Sequence, residues 1–313
     1  MIYHFILNPK SGRSPQQKKM EQEIVDACLK RQLSYHIYYT TQQKDAIIYV
    51  RSMIKQYPDE RQRFICVGGD GTINEIANSA PCNPNIEFGV IPNGSGNDFV
   101  RNFTGRKYFS EIDRQIDGKV YHFDLIKCND DYCVNMVNIG FDCSVVIEAD
   151  KFRKFKFISP GISYILGVVV GFFFKKFGTK MKLIFDDGEV IDKQLTLTGI
   201  GNGKFCGGGF KSAPKASLTD GLMDVCVIDK VSRLIFIQLV GSYKDGTFLE
   251  KKLAQKIVKY RQVNHFRMEF EQPQPICIDG EVSNAKTVDF TVIPGAFNFV
   301  LPKGSELRFP DEK

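Results

Sequence analysis

RFICVGGDGTINEIANSA, residues 63–80, decides how this chain is read. An apolar β-rich run, Arg63 to Val67, is followed by GGDGT at 68–72 and then by a helical pattern over 73–79. Glycines at 68, 69 and 71 remove the side chains that would keep a backbone away from a polyphosphate, and a helix N-terminus just beyond supplies free N–H donors and a positive dipole end. Asp70 is the odd member. A carboxylate in a phosphate-cradling turn repels the anion unless a cation lies between them, which assigns it to Mg²⁺, directly or through water. The alternative on this pentapeptide alone is a tight Gly-Gly-Asp-Gly turn with no ligand.

Working outward, strand patterns at Ile2 to Leu7, Tyr35 to Tyr39, Glu87 to Ile91 and Val120 to Lys127 join the one at 63–67, with helical patterns over about 15–32, 43–57 and 109–117 between them. The order βαβαβαβαβ predicts an α/β domain over 1–125 with a parallel sheet and ligands at the carboxyl ends of its strands. Two further loops occupy such ends. NPKSG at 8–12 offers small residues, an Asn and a Lys; PNGSGNDF at 92–99 offers Ser95 to a phosphate or ribose and Asp98 to a metal; Asp124 closes a fifth strand with another carboxylate.

Beyond Asp124 the rhythm becomes that of hairpins, one over 126–139 turning at Asp130 and Asp131 and one over 181–200 turning at Asp187 and Gly188. Alternating runs at 223–229, 264–271, 286–293 and 296–301 extend this to a mainly antiparallel β domain over 126–301, interrupted by helical regions near 142–155 and 160–176, with a tail at 302–313 that packs back on the first domain. The basic run KKLAQKIVKYR at 251–261 reads as a solvated helix face.

Composition narrows the function classes. The chain has 313 residues, 43% hydrophobic and 25% charged, and its net +6 is far from the polycationic balance of a dedicated nucleic-acid binder. The excess is local: Lys151 to Lys182 holds eight Lys or Arg and no Asp or Glu, leaving −2 elsewhere. Interleaved with Phe, this segment reads either as a contact for an anionic membrane or as a core helix with solvated ends. The uncharged stretch 157–174 is broken by Pro160, and its remaining 14 residues span about 21 Å against a hydrocarbon core of about 30 Å, too short to cross. Nine cysteines without a CxxC pair argue against a disulfide framework and place the chain in a reducing cytosol; four scattered histidines offer no zinc site.

With GGDGTINE, NPKSG and VIPNGSGNDF in hand, later motifs complete a pattern: NIGFD at 138–142, GNGKFCGGGFKSAPKASLTDGLMDV at 201–225 and IDGE at 278–281. In this order they resemble the diacylglycerol kinase catalytic family, particularly its bacterial soluble lipid kinase branch. GGDGT alone also fits NAD kinases; the 201–225 run and the DGE separate the two. The resemblance implies an ATP site lined by Asn8, Pro9, Lys10, Ser11, Gly12, Thr40, Gly68, Gly69, Asp70, Gly71, Thr72, Ile73, Asn74 and Ser95. It implies that Asp70, Asp98 and Asp124 form a water-linked network around a catalytic Mg²⁺, and that Glu281 is the general base taking the proton of the substrate hydroxyl. A second, structural Mg²⁺ would be held by Ser217 and Leu222, through backbone carbonyls, and by Asp220. The expected protein is an ATP- and Mg²⁺-dependent kinase of a lipid hydroxyl, with diacylglycerol favoured, working from the cytosol on a substrate presented by the membrane. A homodimer is compatible with the pattern and no nucleic-acid partner is expected. The alternatives are an NAD kinase-like soluble kinase and a non-catalytic ATP-binding regulatory protein.

Overall fold

The computed structural model describes residues 1–8, 14–94, 96–153, 163, 166, 167, 170–173 and 178–308. They form two compact units: Met1–Leu125 joined by the segment that begins at Pro294, and Ile126–Ile293.

In the first unit, β1 (Ile2–Leu7), β2 (Ser34–Tyr39), β3 (Gln62–Gly68) and β4 (Ile86–Pro92) are paired in parallel in the order β2-β1-β3-β4. The strands β1 and β3 are buried along their whole length, which is why they read as unbroken apolar runs rather than as alternation. Helices α1 (Ser14–Lys30), α2 (Asp45–Gln56) and α3 (Asp70–Ser79) connect them, and α1 turns Ile24, Ala27 and Cys28 onto the sheet at helical spacing. A short helix, α4 (Ile112–Ile116), precedes β5 (Lys119–Cys128). The chain re-enters this unit on β13 (Glu281–Leu301), whose Phe299 lies beside Phe88 of β4. Phe297 and Phe299 complete an aromatic core with Phe99, Phe103, Phe109 and Phe123. The return therefore begins at Pro294, eight residues before the 302 read from the sequence, because 296–301 bury their side chains in the first core.

The second unit is antiparallel. β7 (Met136–Gly140) and β8 (Thr179–Phe185) lie end to end between β9 (Val190–Gly201) and β12 (His265–Ile278), β10 (Met223–Asp229) follows β9, and β11 (Val258–Val263) follows β10. The register of β12 shifts between Glu269 and Gln274, where its partner strand changes from β8 to β7. Val137, Ile139, Leu183, Ile200, Val225, Phe266 and Phe290 meet in the core. On a second cluster, α5 (Phe141–Arg153) and α6 (Arg233–Asp245) contribute Phe141, Val145 and Tyr243, with Phe236 and Leu239 packed against them.

Four sequence expectations are corrected here. The 126–139 hairpin is shorter: β5 turns at Asn129 and Asp130, Asn129 taking the left-handed φ of 53°, and pairs with β6 (Asp131–Cys133), while β7 joins β9 and β12. The basic run 251–261 is not a helix face; it passes through a short 3₁₀ turn into β11, whose Tyr260 and Arg261 pair with β10. The helix α6 was not read at all, although Ser232 caps its start and Gly246, at φ 78°, ends it. Finally, the runs 286–293 and 296–301 are one strand, continuous through Pro294.

The basic segment divides. Lys180 and Lys182 belong to β8 and pair with Asp192 at 2.6 Å and Glu269 at 3.0 Å, while Lys151 on α5 pairs with Glu148 at 2.8 Å. Ser163 and Gly167 are buried, and a Cβ on Gly167 would meet the Val145 carbonyl of α5 at 2.7 Å. Lys154, Lys156, Lys175 and Lys176 lie outside the described residues.

Candidate active site

The loops after β3 and β4 touch through glycine. A Cβ on Gly94 would stand 2.5 Å from the Gly69 Cα, and a Cβ on Gly68 would strike the Thr72 hydroxyl at 2.3 Å. No side chain fits either place. The Asn93 N–H donates to the Gly68 carbonyl at 2.8 Å, extending the parallel pairing one step past the strands. Asp70, the first residue of α3, then holds the second loop: its carboxylate accepts the N–H of Asp98 at 3.0 Å and that of Phe99 at 3.1 Å. Asn97, which the sequence reading passed over, shapes the turn. Its side chain accepts the Gly94 N–H at 3.1 Å and donates to the Gly94 carbonyl at 2.8 Å, at a left-handed φ of 49°. A substitution at Gly96 would aim a Cβ at Asp70 Oδ2, 3.1 Å, and Asp98 Oδ2, 3.7 Å, so the two acids face one small space. Asp98 also pairs with Arg101 at 3.0 Å.

The ends of the neighbouring strands align with these loops. Asn8 donates its N–H to Val67 at 3.2 Å, and Thr40 donates its own to Leu7 at 3.0 Å. Asp45 fixes the turn after Thr40, accepting the Thr41 N–H at 2.7 Å and hydroxyl at 3.0 Å and the Tyr38 hydroxyl at 2.9 Å; the Thr41 N–H holds its carboxyl below the usual range. Asn8, Thr40 and Gly68 to Asn74 are thus gathered at the carboxyl edge of one sheet. Pro9, Lys10, Ser11, Gly12 and Ser95 lie outside the described residues. Two glycine backbones in contact beside a helix N-terminus form a cradle that any Cβ would fill, which fits a nucleotide's phosphates.

Asp124 is buried and accepts the N–H of Gly295 at 2.9 Å, where Gly295 takes a φ of 62°. Among the described residues no group of three or more His, Cys, Asp or Glu side chains is placed to hold a metal directly. Asp70 and Asp98, two acids on one space, suit a cation whose remaining ligands are water or phosphate.

In the second unit, IDGE is a hairpin turn. Asp279 and Gly280 both have positive φ, 48° and 95°, the type I′ pattern, and join β12 to β13 with Ile278 opposite Glu281. The Asp279 carboxylate accepts three successive backbone N–H groups, from Val134 at 2.7 Å, Asn135 at 2.9 Å and Met136 at 2.9 Å, and its own N–H donates to Met136 at 3.0 Å. Glu281, two residues on, is exposed and is the first residue of β13.

The 213–224 loop carries the other acids. Asp220 is exposed and accepts the Leu222 N–H at 3.1 Å; Gly221 follows at φ 72°. Asp224 is buried on β10, takes the Tyr260 hydroxyl at 2.6 Å, and is raised to about 6 by burial, with the Asp220 charge adding to the rise. Asp220 and the backbone carbonyls of Ser217 and Leu222 are oxygen donors within six residues of one loop, the ligand type that suits a hard cation.

Residues 3–128 match the diacylglycerol kinase catalytic domain, and residues 135–301 match the YegS C-terminal NAD kinase beta sandwich-like domain. A probable lipid kinase YegS-like protein of Shewanella frigidimarina is 27% identical over 258 residues, 81% of each chain. The diacylglycerol kinase of Bacillus subtilis is 26% identical over 256 residues, 79% of this chain and 80% of its own. A putative diacylglycerol kinase from Bacillus anthracis shares the fold, with a TM-score of 0.75 at 21% identity over 96% of both chains. With both domain matches in the order its own motifs set out, the chain belongs to the bacterial lipid kinase branch of the diacylglycerol kinase catalytic family and is an enzyme of that kinase family.

Proposed function

We propose that this enzyme transfers the γ-phosphate of ATP to the hydroxyl of a lipid, diacylglycerol, giving phosphatidic acid, with Mg²⁺ as the required metal. The observation that carries the reading is the pair of touching glycine loops latched by Asp70, which sets a helix N-terminus and two acids beside one small space. Phosphoryl transfer needs positioning and charge neutralisation more than covalent help. The α3 N-terminus and the loop amides position the phosphates, and Thr40 and Asn8 border them. Bound Mg²⁺ supplies the positive charge that offsets the phosphate oxygens during transfer. Asp70 and Asp98, with Asp124 through water, would hold that ion, and Asp220 with the Ser217 and Leu222 carbonyls would hold a structural one. Glu281 takes the proton of the attacking hydroxyl as its oxygen bonds to the γ-phosphorus and the bond from that phosphorus to the β,γ-bridging oxygen breaks, releasing ADP. The lipid is presented by a membrane that the enzyme meets peripherally, at its cytoplasmic face. Among the described residues no helix is long and apolar enough to cross a bilayer.

The test is transfer of label from radiolabelled ATP to diacylglycerol, phosphatidylglycerol, a sphingoid base and a polyprenol in mixed micelles, with NAD as the soluble competitor. Diacylglycerol should be labelled only when Mg²⁺ is present. Labelling of NAD alone, or of no acceptor, would overturn the reading.

A further inference from the structure

Helix α6 is apolar on both sides. Phe236, Leu239 and Tyr243 face the second unit's core, while Leu234 and Ile237 point outward at 74% and 55% exposure. A soluble helix of this length normally places polar residues there. The outward stripe continues at i+7 through Gly241, around which there is open space. Phe173 joins it. Phe172 packs its ring on Phe236, and Arg233 ties the two segments together, Nε donating to the Phe172 carbonyl at 2.6 Å and Nη2 to that of Phe173 at 3.4 Å. Phe173 itself is turned out, 63% exposed. Three large apolar side chains are thus exposed on two segments that Arg233 ties together.

We infer that Phe173, Leu234 and Ile237 are the side chains that enter the lipid bilayer when the enzyme docks on it. The inference rests on the lipid kinase reading and names the surface that reading needs. Charge selects the occupant. Residues 230–256 hold six Lys or Arg against two Asp or Glu, and Lys230, Arg233 and Lys244 flank the stripe along the chain, with Asp245 beside Lys244. Lys230 lies along Gly178, and Lys244 is exposed one turn beyond Gly241. An anionic leaflet is attracted by such a rim while the apolar tips leave water. A second copy of this chain fits poorly, because a two-fold contact would set each basic rim against itself, and three side chains are far fewer than the roughly 20 residues a side of a stable interface. Phe173 lies within the basic segment 151–182, whose Lys180 and Lys182 pair with Asp192 and Glu269.

The experiment is co-sedimentation of the full chain with vesicles of phosphatidylcholine, with and without phosphatidylglycerol. Leu234→Gln with Ile237→Gln, both exposed and both good helix residues, should reduce partitioning roughly tenfold or more per side chain. Lys230→Glu with Lys244→Glu should reduce binding to the anionic vesicles and leave binding to neutral ones unchanged. Turnover of a short-chain soluble diacylglycerol should be unaltered in both. Wild-type partitioning by the Gln pair, with an unchanged melting temperature, overturns the inference. So does a Gln pair that dissociates a dimer in sedimentation velocity yet binds vesicles normally. Because partitioning is read without turnover, a protein that phosphorylates no lipid but loses vesicle binding on this face defeats the kinase reading and not the surface.

Discussion

The Asp70 carboxylate accepts the backbone N–H groups of both Asp98 and Phe99, so two loops separated by a whole strand are one structure. A side-chain amide can offer an oxygen to only one of those donors. Asp70→Asn should therefore remove more than a charge: stability should fall by about 1–3 kcal/mol as one N–H loses its acceptor. Turnover should fall with it. Thermal melts alongside Mg²⁺ titration of the rate measure both, and an undiminished rate at saturating Mg²⁺ would remove Asp70 from the metal.

Gly94→Ala tests the cradle itself. The added methyl would lie 2.5 Å from the Gly69 Cα, so one loop must withdraw. Nucleotide affinity should drop by at least roughly tenfold while the second unit's packing is untouched. Wild-type ATP binding by calorimetry would show that the phosphates go elsewhere.

Glu281 and Asp279 separate chemistry from architecture within one turn. Glu281→Gln should keep ATP binding and lower kcat by roughly the 10²- to 10⁴-fold of a lost general base. Asp279→Ala strips the acceptor from three backbone donors and should cost about 3 kcal/mol or more in unfolding by denaturant. If Asp279→Ala unfolds like the wild type, the three N–H groups find other partners. A collapse of ATP affinity in Glu281→Gln would move that residue out of the base role.

Asp220→Ala should weaken Mg²⁺-dependent thermal stabilisation and activity together, since the loop would lose its exposed carboxylate while Asp224 stays buried. A melting temperature that still rises with Mg²⁺ as in the wild type would exclude a structural ion there.

His4 gives the fold an acid limit. Buried against Phe64 and His36, with Nδ1 at 3.1 Å from the Tyr49 hydroxyl, it is lowered from 6.5 to about 4 by desolvation and by the neighbouring His36. The unfolded chain then binds the proton more readily. Stability should be full above pH 6.5 and fall as the pH drops towards 4, by roughly 3 kcal/mol in all, with no further loss from this group below that. His4→Phe should flatten the slope in that window. An unchanged slope would assign the acid sensitivity to carboxylates instead.

The first unit was legible because β1, β3 and β4 are short buried runs followed by proline or glycine, and the loops that matter are that punctuation. The second was less so. Tyr260 and Arg261 sit among lysines in a run that mimics a solvated helix, yet they are a strand because β10 offers a free edge whose Cys226 and Val225 they pair with. The latch from Asp70 to Asp98 and the clamp of Asp279 on residues 134–136 join segments 28 and 143–145 positions apart, which no local pattern encodes. Asp70 and Asp98 could be nominated as acids from their loops; that Asp70 also holds the second loop together could not.

The passage of β13 from one unit into the other has a consequence for how the protein is made. Phe297, Phe299, Val300 and Leu301 fill the core of the unit whose other strands are synthesised first. During translation that unit carries its aromatic cavity open, with Phe103 and Phe123 lacking their partner, until residues 297–301 have left the ribosome. A stop codon anywhere before residue 294 would therefore damage the amino-terminal unit, and a nascent chain stalled in the β-rich unit should be the species that chaperones and proteases meet.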